Sequence, residues 1–404
     1  MTQKERIGSV FNKSMVSMIV MVVLIGLGEK MAERFLPIYL LALGGSIYTV
    51  GSLNAIDNLL SALYSFPGGY LSDKLGYKKA LMVFNIISLL GYAIVILIPT
   101  WQAVFAGSIL FISWTAISLP AIMSMVSKAI SKDKRAMGVS IHSLVRRIPM
   151  ALGPVLGGIL IYLFGEQAGI RSAFIAAFVL GVAALFFVYF YMEEEKKEEC
   201  KPISAFNFKH YFNPSLINLL ASDILIRFAE QIPYAFVVIW VVKYNGITPL
   251  QFGILTSIEM VTALLIYIPV AYFADKYTKK PFVLITFGFF TIFPLVLYYS
   301  KGFAGFAFAF VIRGLKEFGE PTRKSLIMDL APEDAKARTF GTYYLIRDII
   351  VSAAAFSSAY LWDISPQVNF MTASGFGLAG MILFALFGKD LRGIEKNGIN
   401  KNPA

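Results

Sequence analysis

The chain is a succession of apolar blocks of about 20 residues, separated by short polar stretches. A block of that length crosses a hydrocarbon layer of about 30 Å as an α-helix. Strands of a membrane barrel would be about half as long and would alternate in polarity. The pattern therefore predicts twelve membrane-spanning helices, near residues 14–42, 47–71, 80–99, 102–127, 137–164, 171–192, 214–243, 249–273, 281–300, 303–330, 338–362 and 367–388.

The longest polar stretch, MEEEKKEECKPISAFNFKHYF at 192–212, separates the sixth block from the seventh. Its mixed charges and Pro202 are typical of a solvated linker. We expect an all-α membrane protein of two pseudo-symmetric six-helix bundles. The predicted divisions are an N-terminal bundle over 1–192, a cytoplasmic linker over 193–213, a C-terminal bundle over 214–388 and a cytoplasmic tail over 389–404.

Composition favours a membrane protein over a soluble one. Of the 404 residues, 57% are hydrophobic and only 15% are charged, whereas about a quarter of a soluble domain is charged. The first apolar block is too long for a signal peptide and lacks a small-residue cleavage site, so we expect it to be retained as a helix. The single cysteine, Cys200, excludes an internal disulfide framework.

The net charge of +11 is distributed asymmetrically between the two sides of the predicted spans. With both termini in the cytoplasm, the cytoplasmic segments hold most of the loop lysines and arginines, and the opposite loops hold only Arg171, Lys243 and Lys301. This is the positive-inside distribution of a multi-pass protein of the cell membrane. The basic charge is therefore explained by topology, and a nucleic-acid partner is excluded.

A short charged phrase occurs once in each half of the chain. GGYLSDKLGYKK at 68–79 aligns with VAYFADKYTKKP at 270–281 when the sequence is shifted by 202 residues. The same shift places Asp57 on Glu259 and Gly51 on Gly253. Two parallel repeats of six spans are a common architecture of secondary transporters.

The first copy of this phrase resembles the signature of the major facilitator superfamily, G-x-L-x-D-[RK]-x-G-[RK]-[RK], between the second and third helices. The residues that match are Gly69, Leu71, Asp73, Lys74, Gly76 and Lys78. The second copy keeps Asp275 and Lys276 but not the glycines. The resemblance implies that these residues form a conformational latch between two rocking halves. A purely topogenic loop is the alternative explanation.

The fifth span contains a second phrase, MALGPVLGGIL at 150–160, which resembles the antiporter motif of the same superfamily. The matching residues are Gly153, Pro154, Gly157 and Gly158. Glycines four apart let two helix backbones approach closely, and proline removes a helix hydrogen bond. The phrase favours a bendable helix and exchange or export, with plain helix packing as the alternative.

Many charged residues lie inside the predicted spans, where a charge is costly unless it faces a cavity or a partner. Arg146 lies eleven residues past Arg135, which is about 16 Å along a helix. The resemblance implies a central cavity lined by spans one, four, seven and ten. The candidate cavity residues are Arg34, Trp114, Arg146, Arg147, Arg227, Arg313, Glu317 and Arg347.

Arginines in a cavity favour anionic or zwitterionic solutes, because a guanidinium binds carboxylate and phosphate at two points. A carboxylate beside such arginines can exchange a proton as the cavity opens to each side. The candidates for proton coupling are Glu33, Glu230 and Asp223, with His142 as a weaker one. Pairing within one helix, for example Asp223 with Arg227, is the structural alternative.

Other function classes lack the residues they need. No G-x-x-x-x-G-K-[ST] loop occurs, which disfavours an ATP-driven pump. Two histidines and one cysteine disfavour a zinc enzyme or a Cys/His nucleophile. We therefore expect a monomeric secondary transporter without metal or cofactor, either a proton-coupled antiporter exporting a small organic solute, or a symporter or exchanger for an organic anion or organophosphate.

Overall fold

The computed structural model describes residues 13–112, 114, 135–193, 212–276, 278–332 and 336–389. Within these ranges only the backbone is described over 13–15, 65–73, 135–144, 267–268, 271–276 and 336–338. The predicted latch residues Gly69, Asp73, Asp275 and Lys276 and the side chain of His142 therefore lie outside the described side chains. Lys74 is exposed at the end of its helix.

Helices make up almost all of the described chain, and each predicted apolar block contains helix. The helices are α1 (Lys13–Glu33), α2 (Leu36–Ala42), α3 (Ile47–Leu75), α4 (Tyr77–Leu97), α5 (Trp101–Phe111), α6 (Arg135–Phe164), α7 (Glu166–Tyr191), α8 (Pro214–Tyr234), α9 (Phe236–Val238), α10 (Pro249–Lys276), α11 (Lys280–Tyr299), α12 (Gly302–Leu315), α13 (Glu320–Leu330), α14 (Lys336–Ile364) and α15 (Pro366–Phe387). A π-helical segment, Ile239–Tyr244, follows α9.

In the described ranges, seven helices are long and apolar enough to cross a membrane, and the bent pair Pro214–Tyr234 and Phe236–Tyr244 would make an eighth. The remaining blocks are interrupted or carry several charges, and the helix that starts at Trp101 is described only to Phe111. The all-helical membrane architecture is thus confirmed, while the count of twelve crossings and the cytoplasmic termini stay predictions.

Three predicted spans are broken rather than continuous. The first is interrupted between α1 and α2 at Arg34, and the tenth between α12 and α13 at residues 316–319. The seventh bends by 44° between Tyr234 and Phe236, just after Pro233. Non-helical backbone at membrane depth is tolerated where it is buried in protein or lines a polar cavity. The three breaks therefore indicate where a functional site can lie.

Local signals explain several helix ends. Thr100, Asn213 and Ser365 precede α5, α8 and α15, and each side chain accepts a hydrogen bond from the backbone N–H three residues later. Gly76 separates α3 from α4 with a φ of 84°, a conformation that side-chain-bearing residues rarely adopt. This one glycine lets the chain reverse between two long helices.

The chain packs as two units, residues 1–202 with 246–257 and residues 203–245 with 258–404. The first unit has an apolar core in which α1, α4 and α7 contribute Met21, Phe84 and Val188. The second unit has a core in which α8, α11 and α13 contribute Leu219, Phe287 and Leu326. Large apolar side chains such as those of Leu97, Leu265 and Leu386 stay exposed, as expected of surfaces that face lipid.

The repeated charged phrase has the same structural partner in each unit. Lys78 donates to the carbonyl oxygen of Tyr189 at 2.8 Å, near the end of α7, and Lys280 donates to that of Ala385 at 2.8 Å, near the end of α15. The carbonyls of the last helical turn lack intrahelical donors and carry partial negative charge. Lys78 therefore joins the start of α4 to the C-terminal end of α7, and Lys280 joins the start of α11 to the C-terminal end of α15.

We expect Lys280→Met to lower the melting temperature of the purified protein slightly, by a loss of about 1 kcal/mol or less, because the pair is exposed. Lys78→Met should have the same effect in the first unit. Thermal unfolding in detergent measures both. The control is Lys301→Met, which removes an exposed lysine at the N-cap of α12. Equal melting temperatures for Lys280→Met and this control would contradict the expectation.

Candidate functional site

The second unit contains a continuous cluster of ten buried or partly buried charged residues from α8, α10, α12, α13 and α14 and from the turn after α12; the exposed Lys324 also approaches Glu320, at 3.6 Å. We call the ten residues the second-unit charge cluster. Its members are Asp223, Arg227, Glu230, Glu259, Arg313, Lys316, Glu320, Arg323, Arg347 and Asp348.

Asp223 anchors one end of the second-unit charge cluster. Its side chain is about 1% exposed and forms ion pairs with Arg323 of α13 and, at 3.4 Å, with Arg347 of α14. The Tyr343 hydroxyl donates to the same carboxylate at 3.1 Å. Arg347 also binds Asp348 at 2.7 Å. A carboxylate held by two guanidinium groups and a phenol joins three helices at one point.

Arg227 and Glu230 occupy the middle of the second-unit charge cluster. They pair with each other on α8, and Arg227 also approaches Glu320 at 3.3 Å. Glu230 receives a second bond, at 2.6 Å, from Lys316. Lys316 lies in the break between α12 and α13, so the break places a cation beside the helix that carries Glu230.

Arg313 and Glu259 form the other end of the cluster. Their side chains are 4% and 2% exposed, and the Nε–Oε1 distance is 3.3 Å. The guanidinium also lies over the rings of Tyr234, Phe293 and Phe310, with centroid distances between 5.3 and 5.7 Å. Aromatic faces stabilise a desolvated cation, so this arginine is held without exposure to water.

A small cavity adjoins this end of the cluster and has a volume of about 10 Å³, room for at most one water molecule. Its polar lining comes from Glu230, Arg313 and Lys316, and the rest is mostly aromatic and aliphatic. Cations and carboxylates are equal in number in the second-unit charge cluster. The predicted cavity arginines Arg227, Arg313 and Arg347 are therefore brought together, and each is already paired with an acid.

The first unit contains a second group of charges, around the α1–α2 break. We call it the first-unit charge cluster; its members are Glu29, Lys30, Glu33, Arg34, Asp57, Arg146 and Arg147. Lys30 binds Glu29 at 2.9 Å and also pairs with Glu33. Arg34 acts electrostatically on Glu33, and Arg146 of α6 acts on Glu29.

The glycines of the antiporter-like phrase pack α6 directly on this cluster. A Cβ atom at Gly153 would meet the Cβ of Lys30 at 2.6 Å, and one at Gly157 would collide with the backbone carbonyl of Met31. Pro154 and Gly158 are also buried on this helix. The close approach of α6 thus occurs at the segment of α1 that carries Glu29, Lys30 and Glu33.

Trp114 and Glu317 are the two predicted cavity residues that belong to neither charge cluster. Trp114 is 5% exposed within the apolar core of the first unit, and its indole N–H has no hydrogen-bond partner among the described residues. Glu317 lies in the break after α12 and is partly buried. Their role in a cavity stays a prediction.

Arg323 is a member of the second-unit charge cluster that the sequence did not single out. It is fully buried and pairs with Asp223 and with Glu320, at 2.6 Å in the latter case. The Glu320–Arg323 spacing of three was an available signal. Within the described ranges no three carboxylate, imidazole or thiol groups converge as metal ligands do.

Comparison with known proteins identifies the relatives of this chain. The family model for the Major Facilitator Superfamily matches residues 18–228 and again residues 219–402. Among curated proteins, the MFS-type transporter MJ1317 of Methanocaldococcus jannaschii is 21% identical over 88% of this chain and 90% of its own length. The MFS-type transporter MJ1560 of the same organism is 23% identical over 66% of this chain and 69% of its own length.

Solved structures share the fold at low sequence identity. The nucleoside transporter NupG matches with a TM-score of 0.78 and 14% identity over 93% of this chain and all of its own. A POT family transporter in complex with 5-aminolevulinic acid matches with a TM-score of 0.78 and 12% identity over 94% of this chain and 96% of its own. At this identity the likeness concerns the fold alone.

Proposed function

Because this chain belongs to the Major Facilitator Superfamily and is a membrane transporter, we propose that it is a proton-coupled antiporter that exports a small organic solute by alternating access. It lies in the cell membrane with both termini in the cytoplasm, which accords with the positive-inside distribution. It acts as a monomer, with protons and the solute as its only small partners.

One observation carries the antiport proposal. The Gly-Pro helix α6 packs through Gly153 and Gly157 on the part of α1 that holds Lys30. Any bending of α6 therefore moves the helix that bears Glu29 and Glu33. This contact supports a mechanism in which the rearrangement of the helices changes the environment of buried carboxylates, as exchange of a proton for a solute requires.

The solute is an organic compound with at least one anionic group, and a zwitterion suits the arrangement best. The two charge clusters offer both guanidinium groups and carboxylates, so a solute with both signs can replace existing ion pairs without leaving a charge unpaired. The matched structures include a nucleoside transporter and a transporter in complex with 5-aminolevulinic acid, both consistent with a small organic solute.

An organic-anion symporter or exchanger is the second candidate. Arg34, Arg146 and Arg147 favour it, because the first-unit charge cluster has four cations and three carboxylates. Its excess of positive charge would favour a carboxylate or phosphate.

Glu33 is the best of the three candidates for proton coupling. Glu230 is held by both Arg227 and Lys316, and Asp223 by two arginines. Glu33 has one ion-pair partner, Lys30, which it shares with Glu29, and Arg34 acts on it electrostatically in addition. A carboxylate whose one ion-pair partner is divided between two acids loses less on protonation than a carboxylate with two ion-pair partners of its own.

We expect Glu33→Gln to abolish solute flux driven by a pH gradient and to spare counterflow exchange, because exchange of solute for solute needs no proton. The measurement uses reconstituted proteoliposomes and the solute that gives accelerated flux in a screen of anionic, zwitterionic and cationic compounds. Unchanged pH-driven flux in Glu33→Gln would reject this residue. Acceleration by lipophilic cations alone would reject the proposed solute class.

A further inference from the structure

Asp57 is a carboxylate that the proposed mechanism has not used. It lies in the middle of α3, on a helix whose described surface offers it a single hydrogen bond, from Ser61 Oγ at 3.5 Å. Among the described residues no lysine or arginine lies within ion-pair distance of it, and its side chain is only partly exposed. A charge at this depth without a cation is costly.

The charged groups that act on Asp57 come from α1. Glu33 has the strongest electrostatic effect, followed by Lys30 and Glu29. Lys30 forms ion pairs with both glutamates. Their negative charges offset the effect of Lys30 on Asp57. The described helices that pack against α3 are α2, whose titratable group is Tyr39, α4, which has Lys78 and Lys79 at its start and Tyr92, on which the two glutamates act, and α5, which has no charged residue in its described length.

The internal repeat offers a comparison for Asp57, because the residue at the same position of the second half is a carboxylate with a cation beside it. A shift of 202 residues places Asp57 on Glu259, and Glu259 is paired with Arg313 at 3.3 Å. The same shift places Arg313 on Phe111, whose ring stacks on Tyr92 at 4.9 Å. The second unit therefore supplies a guanidinium to its carboxylate, and the first unit has a phenylalanine at the corresponding position of the sequence.

We infer that Asp57 binds a proton in the described conformation, with the ionised Glu33 of α1 as the like charge that favours its protonation. A partly buried carboxylate that has no cation beside it and feels the charge of a second carboxylate is less costly in its protonated form. Glu33 keeps its bond to Lys30, and Asp57, which has only a hydroxyl partner, becomes the carboxylic acid. Loading takes one proton from the aqueous side and release returns it, with no other bond made or broken.

This inference deepens the proposed antiport and rests on it for its biological role, but proton binding can be tested without any solute. Infrared difference spectra of the protein in lipid vesicles, taken between acidic and alkaline buffer, report protonated carboxyl groups through their C=O stretch. We expect a signal in the natural protein that Asp57→Asn removes. Glu33→Gln should weaken it, because the like charge that favours the proton is gone, and the double variant should match Asp57→Asn.

Asp329→Asn is the matched control, because Asp329 pairs with Lys279 outside both charge clusters and is 38% exposed. It should leave the signal unchanged. A signal that persists in full in Asp57→Asn overturns the inference, whether or not pH-driven flux is lost in Glu33→Gln. A signal that Asp57→Asn removes, in a protein whose flux ignores the pH gradient, leaves the proton site standing and refutes the antiport proposal.

Discussion

Asp223→Asn should destabilise the protein more than any other single carboxylate substitution in the second unit, by about 3–5 kcal/mol. The substitution removes the negative charge that Arg323 and Arg347 share, and these arginines are 1% and 7% exposed. Each guanidinium would remain buried with less than its compensating charge. Thermal unfolding of the purified protein in detergent, followed by tryptophan fluorescence, measures the loss.

Asp348→Asn is the control for this experiment, because it removes a carboxylate that also binds Arg347 but is 26% exposed. Arg347 would keep Asp223, so we expect a cost below about 1 kcal/mol. A double variant, Asp223→Asn with Arg323→Met, should recover part of the stability, since it removes one of the two cations that have lost part of their compensating charge. Equal melting temperatures for Asp223→Asn and Asp348→Asn would mean that the buried pairs do not stabilise the fold.

Gly157→Ala should reduce solute flux by about tenfold to a hundredfold, because its Cβ would collide with the Met31 carbonyl and force α6 away from α1. Overpacking of this kind costs about 1–3 kcal/mol, and about 1.4 kcal/mol in an activation barrier is a factor of ten. Flux in proteoliposomes, normalised to the amount of folded protein, separates the effect on transport from an effect on stability.

Gly375→Ala provides the comparison at a glycine in α15 where an added Cβ meets nothing within 4 Å. It should leave flux unchanged and raise helix stability by up to about 1 kcal/mol. Equal flux in the two variants would show that the close approach of α6 to α1 has no part in transport. A loss of folded protein without a loss of normalised flux would assign Gly157 to packing alone.

The helical architecture was predictable because apolar blocks and their polar separators are local features. Each predicted block contains helix in the described ranges, and Gly76 stands where one helix ends and the next begins. The breaks at Arg34 and at residues 316–319 were missed because the length of each block was taken to indicate one continuous helix. Local signals were present, since both breaks are rich in charge and Pro37 and Pro321 lie in the first turn of the helix that follows.

The ion pairs were predicted less well than the charged residues themselves. A spacing of four suggested Asp223 with Arg227, but the structure pairs Asp223 with Arg323 and with Arg347, 124 residues away. Sequence spacing reports only neighbours on one helix face. It also gave no reason to separate Asp57 from its counterpart Glu259 in the repeat, since only Glu259 has a cation beside it, Arg313 of α12.

The equal numbers of cations and carboxylates in the second-unit charge cluster have a consequence for the response to voltage. Moving one elementary charge through 100 mV changes its energy by about 2.3 kcal/mol, so a displaced group of zero net charge does no electrical work. Transient currents that follow a voltage step before turnover would then contain no contribution from a rigid displacement of these ten residues. The steady current reports only the solute and the proton, because every protein charge returns to its place in each cycle, and its ratio to the solute flux gives the charge moved per solute.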